Sequence, residues 1–356
     1  MYQLDIMRRK GNLIAVIFCL AFLLSACDRA PVPEKLSISV RDNLNLLMKD
    51  AQFVMYMNFK SMRNTDFWKR NVSDSILTAE KTFGSILNLF GKATGATISN
   101  GLDELYYANS WFGENSIVLK GVFDKSKLDA YIESDSNFTK IKYSDGLEVY
   151  KSITDNLFFY LKDEVTICAS NYQTQLDRMM QMTDTSKNGM LSNETLMNAV
   201  EGTLYKKNLM MVSTEKMFIR GVFLNFLGGG TGGMNPGEEE QQSPDSPPGD
   251  IGTLYENVNS IGFSVNMETD LKLIVQCGCI NEESANKIRK LINGLLTFSK
   301  LGTALKSEEE KSATEEMLNS IEVKNYGSDV FLEINVNDQN IADFQKKKFI
   351  EESPSP

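Results

Sequence analysis

Four short stretches of this chain carry side chains that could do chemistry, and none completes a reactive set. Cys277-Gly278-Cys279 lies within Leu271–Ile280, which reads as a strand and so turns both thiols to the same side. A soft-metal or redox pair needs a third sulfur or an imidazole, and none is near in sequence, so small buried residues and no metal are expected. A bridge from Cys168 to either thiol is the alternative in an oxidising compartment. Asp103-Glu104 offers two carboxylates for hydrolysis, yet neighbours on a strand point to opposite faces and cannot converge. Asp184-Thr185-Ser186-Lys187-Asn188-Gly189 imitates the front of a calcium loop. Its twelfth position is Thr195, with Glu194 one residue early and Lys187 placing positive charge inside, so a plain turn is expected. Gly228-Gly229-Gly230-Thr231-Gly232-Gly233 lacks the Lys-Ser/Thr and the following helix of a phosphate loop, and acidic residues come next. The chain has no histidine at all. That removes Ser-His-Asp and Cys-His nucleophiles, His-ligated zinc and the usual neutral-pH base. No catalytic residue, metal ligand or cofactor site is therefore assigned.

A fifth stretch does define chemistry. Arg8, Arg9 and Lys10 precede the uncharged run Leu13–Leu24, and Leu24-Ser25-Ala26-Cys27 follows. Twelve apolar residues are too few to cross the hydrocarbon core, which needs ~20. A positive start, a short apolar run and small residues before a cysteine are the parts of a cleaved signal. The stretch resembles a bacterial lipobox. It assigns residues 1–26 to a signal peptide and makes the Cys27 thiol the attachment point of a diacylglyceryl anchor. The partner this implies is a membrane, with the protein in the bacterial cell envelope facing the periplasm or the exterior. Similarity to enterobacterial lipoproteins adds that Asp28 after the lipidated cysteine favours inner-membrane retention; inner and outer membrane both stay open.

Composition bounds what the rest can meet. Without residues 1–26, which hold Arg8, Arg9, Lys10 and Asp5, 34 basic and 46 acidic residues remain, a net charge of −12. Such a surface repels phosphate backbones, so nucleic acid is excluded as a partner. The apolar content of 42% is enough for a real core.

The elements that would position these residues follow from pattern. Residues 27–44 read as a tether. Residues 45–200 give a strand (Ala51–Phe59), a helix through Phe67, Trp68 and Phe90, a hairpin (Leu105–Phe112 with Ser116–Phe123), a helix capped by Asp124, and four further strands from Phe138 to Ala169. Residues 201–346 repeat that order: a strand at Lys207–Ser213, a helix capped by Thr214, a hairpin (Asn257–Met267 with Leu271–Cys279), a helix capped by Asn281, and a last hairpin from Ser320 to Val336. The closest local parallels are Val118–Asp124 with Val275–Asn281, and Ser144-Asp145-Gly146 with Asn325-Tyr326-Gly327. They imply a duplication. Residues 228–252, rich in Gly, Pro and acid, cannot repay ordering entropy and read as a mobile insertion. Residues 347–356 read as a disordered tail. Met179, Met180, Met182, Met190, Met197, Met210 and Met211 read as core filling at the junction of the copies, with an adaptable ligand surface as the alternative.

Ala51–Phe59 and Phe67-Trp68, Gly121-Val122-Phe123-Asp124-Lys125 and Lys140–Tyr150, followed by a second copy, resemble a bacterial envelope family of secreted or lipidated proteins known as a domain of unknown function. The likeness covers about residues 45–345 and rests on turns and caps, so it implies a fold and no catalytic residue. The expected fold is α+β: two related units, each an antiparallel sheet with helices packed on one face. The expected role is non-enzymatic, binding or structural, holding a hydrophobic ligand between sheet and long helix or an envelope protein partner. A partner-binding assembly lipoprotein without a pocket and a carboxylate-based envelope hydrolase are the alternatives.

If Cys27 carries the anchor, radiolabelled fatty acid should enter the wild-type protein in growing cells and should not enter C27S. Equal labelling of the two, or no labelling of wild type, would refute the anchor.

Overall fold

The central strands explain the rest of the molecule. In a computed structural model, Phe53–Asn58 (β1) pairs antiparallel with Leu209–Ser213 (β8), in the register Phe53↔Ser213 to Met57↔Leu209. The structure describes residues 30–72, 84–143, 146–182, 188–227, 254–304, 317 and 320–342. Outwards from β1 lie Leu102–Asn109 (β2), Asn115–Gly121 (β3), Thr166–Ser170 (β7), Leu157–Asp163 (β6), Glu148–Ser152 (β5) and Phe138–Lys142 (β4). Outwards from β8 lie Val258–Met267 (β9), Leu271–Cys279 (β10), Asp329–Val336 (β12) and Glu322–Tyr326 (β11). The twelve strands of the described residues form one antiparallel sheet. The fold is α+β as expected, but the two halves share one sheet rather than making separate ones, and Pro33–Pro356 is one compact unit.

The strand order is mirrored about the β1–β8 pair: β1-β2-β3-β7-β6 on one side, β8-β9-β10-β12-β11 on the other. β12 holds the place beside β10 that β7 holds beside β3. The β11–β12 hairpin therefore corresponds to β6–β7, not to β4–β5 as the Ser144-Asp145-Gly146 parallel implied. The parallel of Val118–Asp124 with Val275–Asn281 also slips by one residue. Leu119 packs with the core of one face, whereas Gln276, its counterpart in that alignment, pairs with Gly262 and lies on the other face. The caps on which the parallel rested are real. Asp124 accepts from Lys127 N at 3.0 Å to start Lys125–Ser134 (α5). Asn281 accepts from Ser284 N at 2.8 Å to start Glu282–Ala304 (α9).

Alternation along the strands defines two faces. The first is covered by Phe59–Arg63 (α2), Asp66–Asn71 (α3), Gly84–Thr94 (α4), α5, Lys216–Leu227 (α8) and α9. Phe90 and Phe159 meet edge to face there, with ring centroids 5.2 Å apart. Further along, Ile288, Ile292 and Leu296 of α9 fill the space over Ile261, Cys277 and Leu332. The apolar hollow expected between sheet and long helix is thus occupied by the protein's own side chains.

The opposite face is covered as well, which corrects the one-sided packing. Ile38–Asn45 (α1), Gln173–Gln181 (α6), a 3-10 turn at Met190–Ser192 and Glu194–Gly202 (α7) bury Leu44, Leu176 and Leu196 against Val54, Tyr106 and Val118. Met179, Met182, Met190, Met197 and Met210 belong to this layer, with Met180 packed at its margin; they are core filling beside the central strands. Met211, next in β8, turns to the other face, opposite Met55. Gly189 permits the close approach: a Cβ there would lie 1.6 Å from the Asn45 carbonyl oxygen. The residue that imitated the sixth position of a calcium loop is thus where one chain segment crosses another. Asp184 to Lys187, like residues 1–29, 228–253 and 343–356, lie outside the described residues, and so do the signal peptide, Cys27, the insertion and the tail assigned to them.

The tether expected over residues 27–44 ends early, because the chain docks at Glu34. Glu34 N donates to Leu204 O at 2.9 Å, and Lys206 N donates to Glu34 Oε2 at 2.6 Å. Lys206 is 5% exposed. Its Nζ donates to the carbonyls of Glu34 at 2.6 Å, Glu201 at 3.0 Å and Thr203. Burial draws its pKa down to about 8, against the attraction of Glu34 and Glu201. Removing these donors leaves three carbonyls short of a partner. Lys206→Met should therefore cost ~2 kcal/mol and hasten proteolysis between residues 30 and 37, read by limited digestion and mass spectrometry. An unchanged digestion rate there would contradict the clamp.

Candidate functional site

Among the described residues the exposed aromatic side chains, Trp111, Phe112 and Tyr172, lie at one end of the sheet, while Val122 and Val165 are exposed at the other. At the aromatic end β1, β3, β6 and β9 start, and β2, β5, β7, β8 and β10 finish. The β2–β3 turn carries Trp111, 59% exposed, and Phe112, 86% exposed. Tyr172 follows β7, Ile153 follows β5, Met217 opens α8 and Ile280 follows β10, all exposed. The Glu34 clamp lies at the other end, where β8 begins. Trp111 and Phe112, neighbours on one turn, are the part of this end that marks an interaction surface, since water opposes paired exposed aromatics unless something covers them; the others stand singly along strands β5 to β10.

The turn that lifts the two aromatics is held by its own hydrogen bonds. Ser110 N donates to Glu114 O at 2.9 Å, and Gly113 N to Ser110 O at 3.0 Å. Gly113 has φ +80, a conformation that costs glycine little. Trp111 N donates to Gln52 Oε1 at 2.9 Å. Asn171 braces the turn from β7, donating from Nδ2 to Gly113 O at 2.8 Å and accepting from Asn115 N at 2.7 Å. Sequence pattern had ended β2 at Phe112 and missed both residues as surface. Two consecutive aromatics cannot both face a core from one strand, and that was the signal available.

Around the corner, on the face that carries α7, a cleft of 360 Å³ opens between that helix and strands β9, β10 and β12. Gly202, Gly262 and Gly278 line it with Gln276 and Asp329. Gln276 Nε2 donates to Asp329 Oδ1 across 3.4 Å, while Gln276 Oε1 is buried with no hydrogen-bond partner. Burial holds the Asp329 carboxyl above the usual range against this contact.

The other candidate residues are kept apart. Asp103 accepts from Arg63 Nη2 at 2.9 Å and lies 3.5 Å from Lys60 Nζ, both on α2. Glu104 turns to the opposite face, where it accepts from Tyr106 Oη at 2.6 Å and Tyr56 Oη at 3.3 Å. Burial and this carboxylate raise the pKa of both phenols. The pair diverges, as alternation requires. Asp129 and Glu148 do lie together, but lysines hold them: Lys125 is 2.6 Å from Asp129, and Lys140 is 2.8 Å from Glu148. Cys277 and Cys279 face the same side, in one cluster. Cys168 is buried beneath the other face, so all three thiols are free. Among the described residues no group of three or more Cys, Asp or Glu could hold a metal ion, and no helix is long and apolar enough to cross a membrane.

No family model matches the chain, and no curated protein does either. Solved structures of TP0453 are similar in coarse arrangement. Crystal form IV aligns at TM-score 0.45 and 9% identity, over 85% of this chain and 95% of that one. Crystal form III aligns at 0.43 and 9%, over 85% and 97%. Crystal form I aligns at 0.40 and 10%, over 84% and 94%. At that level the likeness carries no residue correspondence.

Burial pushes the Cys168, Cys277 and Cys279 thiols up to about 12 each, so thiolate is scarce at neutral pH. Ellman's reagent should titrate none of the three within minutes in the native protein and all of them in guanidinium. A fast native reaction would contradict their placement.

Proposed function

We propose that this chain is a lipid-tethered binding protein of the bacterial envelope, anchored at Cys27, whose apolar sheet end engages an envelope protein partner. The carrying observation is where the exposed aromatic side chains lie. Trp111, Phe112 and Tyr172 are exposed at one end of the strands, and the chain coming from Cys27 is clamped by Lys206 at the other. Six residues separate Cys27 from Glu34, a reach of at most ~25 Å. The clamped end would be kept near the bilayer and the aromatic end, ~20 Å of strand away, would face outwards. Exposed aromatic side chains such as Trp111 and Tyr172 are of the types that anchor protein interfaces.

A carrier for a hydrophobic ligand is the weaker reading, because Ile288, Ile292 and Leu296 fill the space under the long helix. The carboxylate hydrolase is weaker too, because Asp103 and Glu104 diverge and Asp129 and Glu148 are neutralised by lysines. The mirrored strand order supports two related halves within the one sheet.

Replacing Phe112 by a photo-crosslinking phenylalanine in intact cells should give one discrete adduct. Combining that change with W111S and I280S should reduce its yield at least about tenfold, the loss expected when interface anchors are removed. The same crosslinker at Val122, exposed at the clamped end, should give no such adduct. No adduct at position 112, or an equal one at 122, would overturn the reading.

A further inference from the structure

An asparagine followed by glycine can be attacked by its own backbone, because glycine presents no side chain to hinder the approach of the next nitrogen. The chain holds three such pairs, Asn100-Gly101, Asn188-Gly189 and Asn293-Gly294. Attack needs a glycine amide free of hydrogen bonds and a main chain that can turn between the two residues. A pair held by hydrogen bonds must first open locally. The fold treats the three pairs differently.

Asn293-Gly294 lies inside α9, where the glycine amide belongs to the helical ladder. Asn100-Gly101 is tied on both sides. Asn100 N donates to Thr97 O at 3.0 Å, Thr97 N donates to Asn100 O at 2.6 Å, and Val122 N donates to Gly101 O at 2.8 Å. Asn188-Gly189 is the exception. Asn188 is exposed, and among the described residues neither its side chain nor the Gly189 amide makes a hydrogen bond. The bonds that hold this pair all lie on its far side. Gly189 O accepts from Ser192 N at 3.0 Å and from Ser192 Oγ at 2.7 Å, and Met190 N donates to Leu47 O at 3.1 Å. They fix the glycine carbonyl and leave the Asn188 side free to turn.

The surroundings suit a new negative charge. Asn188 lines a cleft of 380 Å³ together with Lys49, Arg178 and a single acid, Asp50. An added carboxylate would bring the charge of that cleft to balance, which favours the ionised form.

We propose that Asn188 is a site of spontaneous deamidation, through which the folded protein records its age. Solvent base takes the proton from Gly189 N, and that nitrogen forms a bond to Asn188 Cγ. The Cγ–Nδ2 bond breaks, ammonia leaves, and a five-membered succinimide closes. Water then adds to one of the two ring carbonyls and reopens the ring. One opening gives aspartate; the other gives isoaspartate, with the main chain rerouted through the side-chain carbon. No oxidant or reductant takes part. Both products place a carboxylate in the cleft of Lys49 and Arg178. Isoaspartate also lengthens the main chain by one methylene. That atom falls in exposed chain, one residue before the crossing of Gly189 over Asn45, so the layer beneath is kept. The reaction depends neither on the anchor nor on the partner proposed at the aromatic end.

The test incubates the full mature chain in mildly alkaline buffer and follows each pair by peptide mapping, with mass spectrometry that resolves aspartate from isoaspartate. In the native chain Asn188 should react at least about tenfold faster than Asn100 and Asn293, the protection expected of hydrogen-bonded amides. In guanidinium all three should react within about threefold of one another, since that protection is gone. A smaller gap in the native chain would overturn the proposal. So would a native rate at Asn188 more than about tenfold below its rate in guanidinium. Aspartate formed at position 188 with no isoaspartate would overturn the cyclic route. None of these outcomes bears on the crosslink at Phe112.

Discussion

The pairing of β1 with β8 is the constraint on which the molecule rests. These strands lie about 150 residues apart in the chain, yet their register sets Met55 against Met211 and fixes which side chains of both halves share a face. A slip of one residue would send Val54, Tyr56, Met210 and Val212, all buried beneath α1, α6 and α7, to the wrong side. Closing so long a loop is entropically costly and slow. The helices on the second face offset that cost, since α7 leads directly into β8 while its Asn193 cap donates to the carbonyls of Lys49 and Ala51 just before β1.

Much of this was legible in the sequence. The apolar alternation from Phe138 to Ser170 and from Val258 to Cys279 placed those strands to within a residue or two, because half-buried strands must alternate. Asp124 and Asn281 announced their helices because a short polar side chain before an apolar run has one good use. What escaped was tertiary. α1 and α6 are short and mostly polar, with Val40, Leu44, Leu176 and Met179 as their few buried apolar anchors, too few to show a period of 3.6. Without them the second face looked bare and residues 27–44 looked like tether. Thr214 was read as the cap of α8, but Glu215 does the work, accepting from Phe218 N at 2.6 Å.

The candidate surfaces were illegible for related reasons. Trp111 and Phe112 look like strand residues by composition; only the turn geometry from Ser110 to Glu114 exposes them. The cleft is invisible locally because Gly202, Gly262, Gln276 and Asp329 come from four different elements. The Cys277-Gly278-Cys279 stretch shows the same limit in reverse. Its cysteines attract notice and are inert filling beneath one face, while the glycine between them shapes the other.

The Glu34–Lys206 clamp has a mechanical consequence. If the chain is held at Cys27, drag on it is delivered at residues 204–206, immediately before a strand at the middle of the sheet, and not at β4 or β11 on its edges. Force entering there runs along strands bonded on both sides, so several hydrogen bonds must yield together. An attachment at an edge strand would let them open one at a time. A hold passed on at residues 204–206 would be a hold where the sheet is hardest to peel.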